Sequence, residues 1–80
     1  VFKNKNGSSL NLCGQNVAKY RTMLTPKTSQ RMLADKLQLI GVDVDKNAIQ
    51  RIESGQRFVT DIELVALATA LNVSISDLLE

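Results

Sequence analysis

Four residues within one short stretch, Lys46, Asn47, Gln50 and Arg51, have side chains suited to hydrogen-bonding the edges of bases. An Asn or Gln amide can bond adenine N6 and N7 in a bidentate way, and Arg or Lys can bond guanine O6 and N7. Each such pair discriminates by about 1–3 kcal/mol. Successive residues of a helix step by about 100°, which gathers these four with Ser54 on one arc and Ala48, Ile49 and Ile52 on the other. Asp45 is a residue type that accepts hydrogen bonds from the free N–H groups of a first turn. Gly55 tolerates the left-handed conformation that ends a helix. The stretch therefore predicts a short helix over 46–54 with an apolar face and a polar face free of acids. A surface helix needs only water-compatible residues on its outer face. A helix made to lie in a DNA groove needs amides and cations there, and we expect this one to read base edges.

Other chemistries find little support. The 80 residues contain no His and a single cysteine, Cys13. The commonest general base and metal ligand is thus missing, and neither a disulfide framework nor a thiolate metal site can form within one chain. Asp43 and Asp45 read as turn and cap, not as a metal or acid–base pair. Cys13 reads as an inert thiol, and Met23 and Met32 as gap-filling core residues. Tyr20 reads as a core residue with its hydroxyl at the surface. No Gly-rich phosphate loop is found. We expect no enzyme activity, no metal and no cofactor.

The composition fits one small helical domain. Apolar residues make up 44% of the chain, aromatic residues only 4%, and Gly and Pro are sparse. The net charge of +2 is unevenly distributed. Residues 1–57 hold all ten basic residues against four acids, a charge of +6, whereas residues 58–80 hold four acids and no base, a charge of −4. Such a split suits a molecule with one side toward a polyanion. No signal peptide is recognisable, and the longest apolar run, Leu64 to Leu71, is too short to span a bilayer. A soluble, cytoplasmic protein without a membrane partner is expected.

Five helices are predicted. Residues 1–12 read as a disordered tail, the Lys-, Asn-, Gly- and Ser-rich start of the chain, and residues 13–80 as the folded domain. The first helix runs from about Gln15 to Leu24, with Val17, Tyr20 and Leu24 as its buried stripe. Pro26 breaks it. Thr28 or Ser29 caps a second helix reaching Ile40, with Leu33, Leu37 and Ile40 as its apolar line and Ala34 at a close helix contact. Gly41 stops it. Phe58 and Val59 are expected to plug the core. Thr60-Asp61-Ile62-Glu63 is a capping box that opens a helix over 61–71, apolar on almost every side. A similar signal from Ser74 to Asp77 opens a last helix, Ile75 to Leu79. No strand is predicted.

The order SQRMLADKL, then VDKNAIQRIESGQR, then TDIELVALATALNVSISDLL resembles the phage-repressor and Cro type helix-turn-helix family of bacterial and phage regulators. The resemblance extends from about Gln15 to Leu79. It rests on Gln30, Ala34, Ile49, Ile52-Glu53, Gly55, Leu67-Ala68 and Leu71-Asn72-Val73-Ser74 taken together. It implies an all-α, lambda-repressor-like five-helix domain in which Lys46, Asn47, Gln50 and Arg51 face the major groove. It further implies phosphate contacts from Ser29 and Gln30 at the start of the second helix and from Gln56 and Arg57 in the loop after the third. Arg21 and Glu53 match a structural ion pair of the family. One departure stands out. Leu37 is followed by Gln38-Leu39-Ile40-Gly41-Val42 before Val44-Asp45, so either the second helix is a turn longer than usual or the turn is a wider loop.

The expected function is a sequence-specific DNA-binding transcriptional regulator acting as a repressor. Its expected partners are double-stranded DNA and a second copy of the chain, held through the acidic C-terminal segment with Ile75, Leu78 and Leu79. The alternative is a protein-interaction module on the same fold, antitoxin-like or coactivator-like, without regulatory DNA binding.

Overall fold

A computed structural model describes residues 7–80. Its elements are α1 (Gly14–Met23), α2 (Gln30–Ile40), α3 (Lys46–Glu53), α4 (Asp61–Leu71) and α5 (Ile75–Leu79), with no strand among the described residues. The caps explain the boundaries. The side chains of Ser29, Asp45, Thr60 and Ser74 each accept a backbone N–H of the first turn that follows. Those groups have no partner within the helix. The Thr60–Glu63 and Ser74–Asp77 boxes are both closed in the two directions. Gly41 and Asn72 end α2 and α4 in the left-handed region, at φ 97° and 57°.

The core is aliphatic. Val17, Leu33, Leu37, Val44, Ile49, Ile52, Leu67, Leu71 and Leu78 are buried from all the long elements and from the α2–α3 link. Each such side chain contributes about 1.5–3 kcal/mol by leaving water. α3 packs on α1 and α2, and α4 packs on α1, α2 and α5. The long connection before α3 resolves into both alternatives. Gln38 to Ile40 continue the helix, and residues 41–44 then form an irregular link to Asp45, turned tightly by the Val44 N–H on the Val42 carbonyl at 3.0 Å. The link is fixed at its start by the Val42 N–H on the Leu37 carbonyl at 2.9 Å, and in its middle by Val44, which is buried.

Several expectations need correction. Ile40 is exposed at 45%, and Leu39 beside it stands 89% exposed, since no described element covers them. Met23 and Met32 are surface residues, not core fillers. Phe58 is half exposed while Val59 packs on the core, so only one of the pair acts as a plug. α4 is not enclosed on all sides: Ile62 and Val65 face outward. Leu78, expected on a self-association surface, is fully buried, leaving Ile75 and Leu79 partly exposed at that end. Only part of the tail expected over 1–12 is described. Residues 1–6 lie outside the described residues, but Leu10 and Asn11 are hydrogen-bonded to the body of the fold.

Candidate nucleic-acid interface

α3 sorts its residues in accordance with its sequence. Ile49 and Ile52 are fully buried and Ala48 is half-buried, while Lys46, Asn47, Gln50 and Arg51 are all exposed. Burying the two isoleucines fixes the rotation of the helix about its own axis. The four polar side chains must then project from the opposite side. None of the four has a side-chain hydrogen bond or ion pair within the protein among the described residues.

The single acid of α3, Glu53, is turned inward. Arg21 grips its carboxylate with two hydrogen bonds, Nε to Oε2 at 2.7 Å and Nη2 to Oε1 at 3.0 Å. Gln30 adds Nε2 to Oε1 at 3.0 Å, and Arg21 Nη1 also donates to the Thr28 carbonyl at 3.0 Å. The Glu53 side chain is only 8% exposed and that of Arg21 14%. A planar guanidinium matches a carboxylate with two parallel bonds, which gives the pair direction as well as strength. The cluster joins α1, the start of α2 and the last turn of α3. Repulsion between this carboxylate and a bound polyanion is reduced accordingly.

The start of α2 lies beside the start of α3. A shallow depression is lined by Lys27, Ser29, Gln30, Arg31 and Lys46. Ser29 caps α2 by accepting the Met32 N–H at 3.1 Å, so the positive end of the helix dipole opens toward the same place. Lys27 and Arg31 were not singled out from the sequence. Their signal was present, since both flank the Ser29–Gln30 cap, but Lys27 lies in a break between helices, where no periodicity shows where it faces, and Arg31 in a first turn reads as an ordinary exposed residue.

The two polar residues of the following loop differ in their engagement. Gln56 is exposed. Arg57 is committed to α4: Nη1 and Nη2 reach the two carboxylate oxygens of Glu63 at 3.0 and 2.9 Å, and Nη1 also donates to the Phe58 carbonyl. Glu63 at the same time accepts the Thr60 N–H at 3.0 Å. The bonds from Arg57 hold the Glu63 carboxyl below the ordinary carboxylate range, against the opposing effect of its partial burial. Cys13 is buried at the start of α1, and burial pushes its thiol up from the ordinary value. That suits the inert reading.

Among the described residues no His, Cys, Asp or Glu group is arranged to hold a metal ion, and no helix is long and apolar enough to cross a membrane. The geometry therefore offers one exposed, acid-free helix face, continuous with a basic helix N-terminus. Such a surface can place donors and amides in a groove while positive groups meet the flanking phosphates.

Comparison with known proteins agrees. A family model described as helix-turn-helix matches residues 19–78. No curated protein matches the chain. Among solved structures, the restriction-modification controller protein C.AhdI from Aeromonas hydrophila is 32% identical with a TM-score of 0.67. The match covers 81% of this chain and 88% of that one.

Proposed function

The chain belongs to the helix-turn-helix family and is a DNA-binding transcriptional regulator, and from that premise we propose that it reads the major groove with α3. The observation that carries this reading is the exposed face Lys46, Asn47, Gln50 and Arg51, opposite two fully buried isoleucines. Asn47 and Gln50 supply amides for adenine, and Lys46 and Arg51 supply donors for guanine. Ser29 and Gln30, with Lys27 and Arg31 beside them, meet the backbone at the start of α2. Gln30 has one amide hydrogen committed to Glu53 and one left for phosphate. The exposed Gln56 side chain forms the second backbone contact, its own N–H being held on the Arg51 carbonyl. Arg57 adds its charge from a fixed position on Glu63, without swinging freely onto the phosphate.

A short helix spans only a few base pairs, so selectivity calls for two copies. The self-association surface we propose is the outer face of α4, where Ile62 and Val65 lie one turn apart and exposed, together with Ile75 and Leu79. The segment is acidic, which keeps it off the DNA. Two recognition helices would then sit about 34 Å apart on a palindromic site. Repression follows if that site overlaps a promoter, and the work is done in the cytoplasm, where the DNA is.

The test is selection from a randomised duplex pool with the purified 80-residue chain. We expect enrichment of a palindrome whose half-sites are one helical turn apart, and affinity that falls steeply as salt rises, because neutralised phosphates release counterions. Failure to bind any duplex at low salt would leave the protein-interaction reading in its place.

A further inference from the structure

The N-terminal segment is built onto the end of the recognition helix, and one amide makes the joint. Asn11 Oδ1 accepts the Gly14 N–H at 2.8 Å. Asn11 Nδ2 donates to the Ile52 carbonyl at 3.1 Å and to the Arg57 carbonyl at 2.8 Å. The three partners belong to the start of α1, the last turn of α3 and the loop after it. Both amide hydrogens and the carbonyl of one side chain are thus in use, which no other residue type of this size can reproduce. Around this joint the backbones touch. A Cβ on Gly14 would collide with the Ile52 carbonyl oxygen, and one on Gly55 would collide with the Ser9 hydroxyl. The Leu10 N–H meets the Gly55 carbonyl at 2.8 Å. Asn11 lies outside the residues matched by the family model.

The base-reading side chains begin at the opposite end of α3 from this joint. From Lys46 to Ile52 the helix rises about 9 Å, so a tilt of about 10° about its last turn shifts its first turn by about 1.5 Å. Hydrogen bonds to base edges tolerate only a few tenths of an ångström. The Arg21–Glu53 pair holds the side of the helix through long side chains, whereas Asn11 holds its backbone and, with the same amide group, the backbone of the 56–57 loop.

We propose that Asn11 is a positioning residue for base readout, fixing the angle of α3 and its spacing from the loop that meets phosphate. This rests on the groove-reading function proposed above. Its removal leaves the core and the ion pair intact, so the chain folds and still meets the phosphates, while the base contacts lose registry.

The experiment compares the wild-type chain with Asn11→Ser, which retains an acceptor for Gly14 but cannot span both carbonyls, and with Asn11→Ala. Leu78→Val is the stability control, since α5 packs on α1 and α4. Each is titrated with the selected duplex and with a scrambled duplex over a salt series, at a temperature where urea melts show it folded. The expected result is a loss of about tenfold or more in the ratio of specific to scrambled affinity for both Asn11 variants, the discrimination of one bidentate base contact. Scrambled affinity and salt slope stay at their wild-type values, and Leu78→Val keeps the wild-type ratio. A wild-type ratio in the Asn11 variants overturns the inference alone, as does an equal loss of ratio in Leu78→Val. Failure of both Asn11 variants to fold also overturns it, by assigning Asn11 to the fold. Equal binding of both duplexes by the wild-type chain overturns the groove reading and the inference with it.

Discussion

Glu53 is the only acid in α3, and its position shows how a single residue can serve the fold without harming a surface meant for an anion. Its carboxylate is enclosed by Arg21 and Gln30, so the exposed face keeps only amides and cations. Removing it would leave the largely buried Arg21 charge with no acid to pair with and only the Thr28 carbonyl to bond. Glu53→Ala should therefore cost about 3 kcal/mol, the lower end of the range for breaking a buried pair, because Arg21 keeps some contact with water. A urea melt checks this, and an unchanged midpoint would reduce the pair to a surface contact. Glu63 gives a pH prediction. Its carboxyl is depressed in the folded state by Arg57, so its contribution to stability is full above the ordinary carboxylate pKa and disappears as pH falls through the lower, folded value. Glu63→Gln should flatten that part of the acid limb in melts taken across pH. The Arg21–Glu53 pairing followed from family resemblance and from the place of Glu53 at the edge of the helix wheel. The Arg57–Glu63 pairing was not legible, because it joins a loop to a helix cap, and neither residue's periodicity points at the other.

At the scale of elements, caps and periodicity were readable where they act locally. Asp45, Thr60 and Ser74 cap their helices through bonds that span three residues, and a sequence displays such spacing directly. What was hidden is which side of a helix finds a neighbour. The predicted apolar line of α2 ended on Ile40, and α4 looked buried all round, yet Leu39, Ile40, Ile62 and Val65 are exposed because no described element covers them. Leu39→Gln should consequently leave the unfolding free energy, read from a urea melt, within about 0.5 kcal/mol of wild type. Gly14 offers the opposite case. A methyl group there meets the backbone of α3 where no side chain can give way. Gly14→Ala should destabilise by about 1–3 kcal/mol, as overpacking does, and a melt of that variant at the wild-type midpoint would show that α1 and α3 can part at no cost. The close approach of these two helices at Gly14 was not readable, since Gly at a helix start reads equally as an end of the preceding loop.

For the whole molecule, the uneven charge acquires a spatial meaning. Lys27, Arg31 and Lys46 line one depression beside the exposed face of α3, while the acids of 58–80 lie on α4, α5 and their surroundings. A duplex is drawn to the first region and kept off the second, which leaves the outer face of α4 for the second copy that we propose. Val65→Asp should weaken self-association and reduce binding to a palindrome more than binding to a half-site; sedimentation and duplex titration together report both. The helical class, the element order and the two faces of α3 were legible because a small domain must bury one stripe of each helix, and the remaining polar arc is then determined. The N-terminal joint was not, because Asn11 acts through carbonyl groups 41 and 46 residues away in the chain. We propose that α3 reads bases through Asn47 and Arg51, among others. The most direct test of this reading is the affinity of Asn47→Ala and Arg51→Ala for a panel of sites carrying single base-pair changes. Each variant should lose about 1–3 kcal/mol of preference at its own position and keep the rest of the wild-type profile. A uniform loss across the panel, with the profile unchanged, would contradict it.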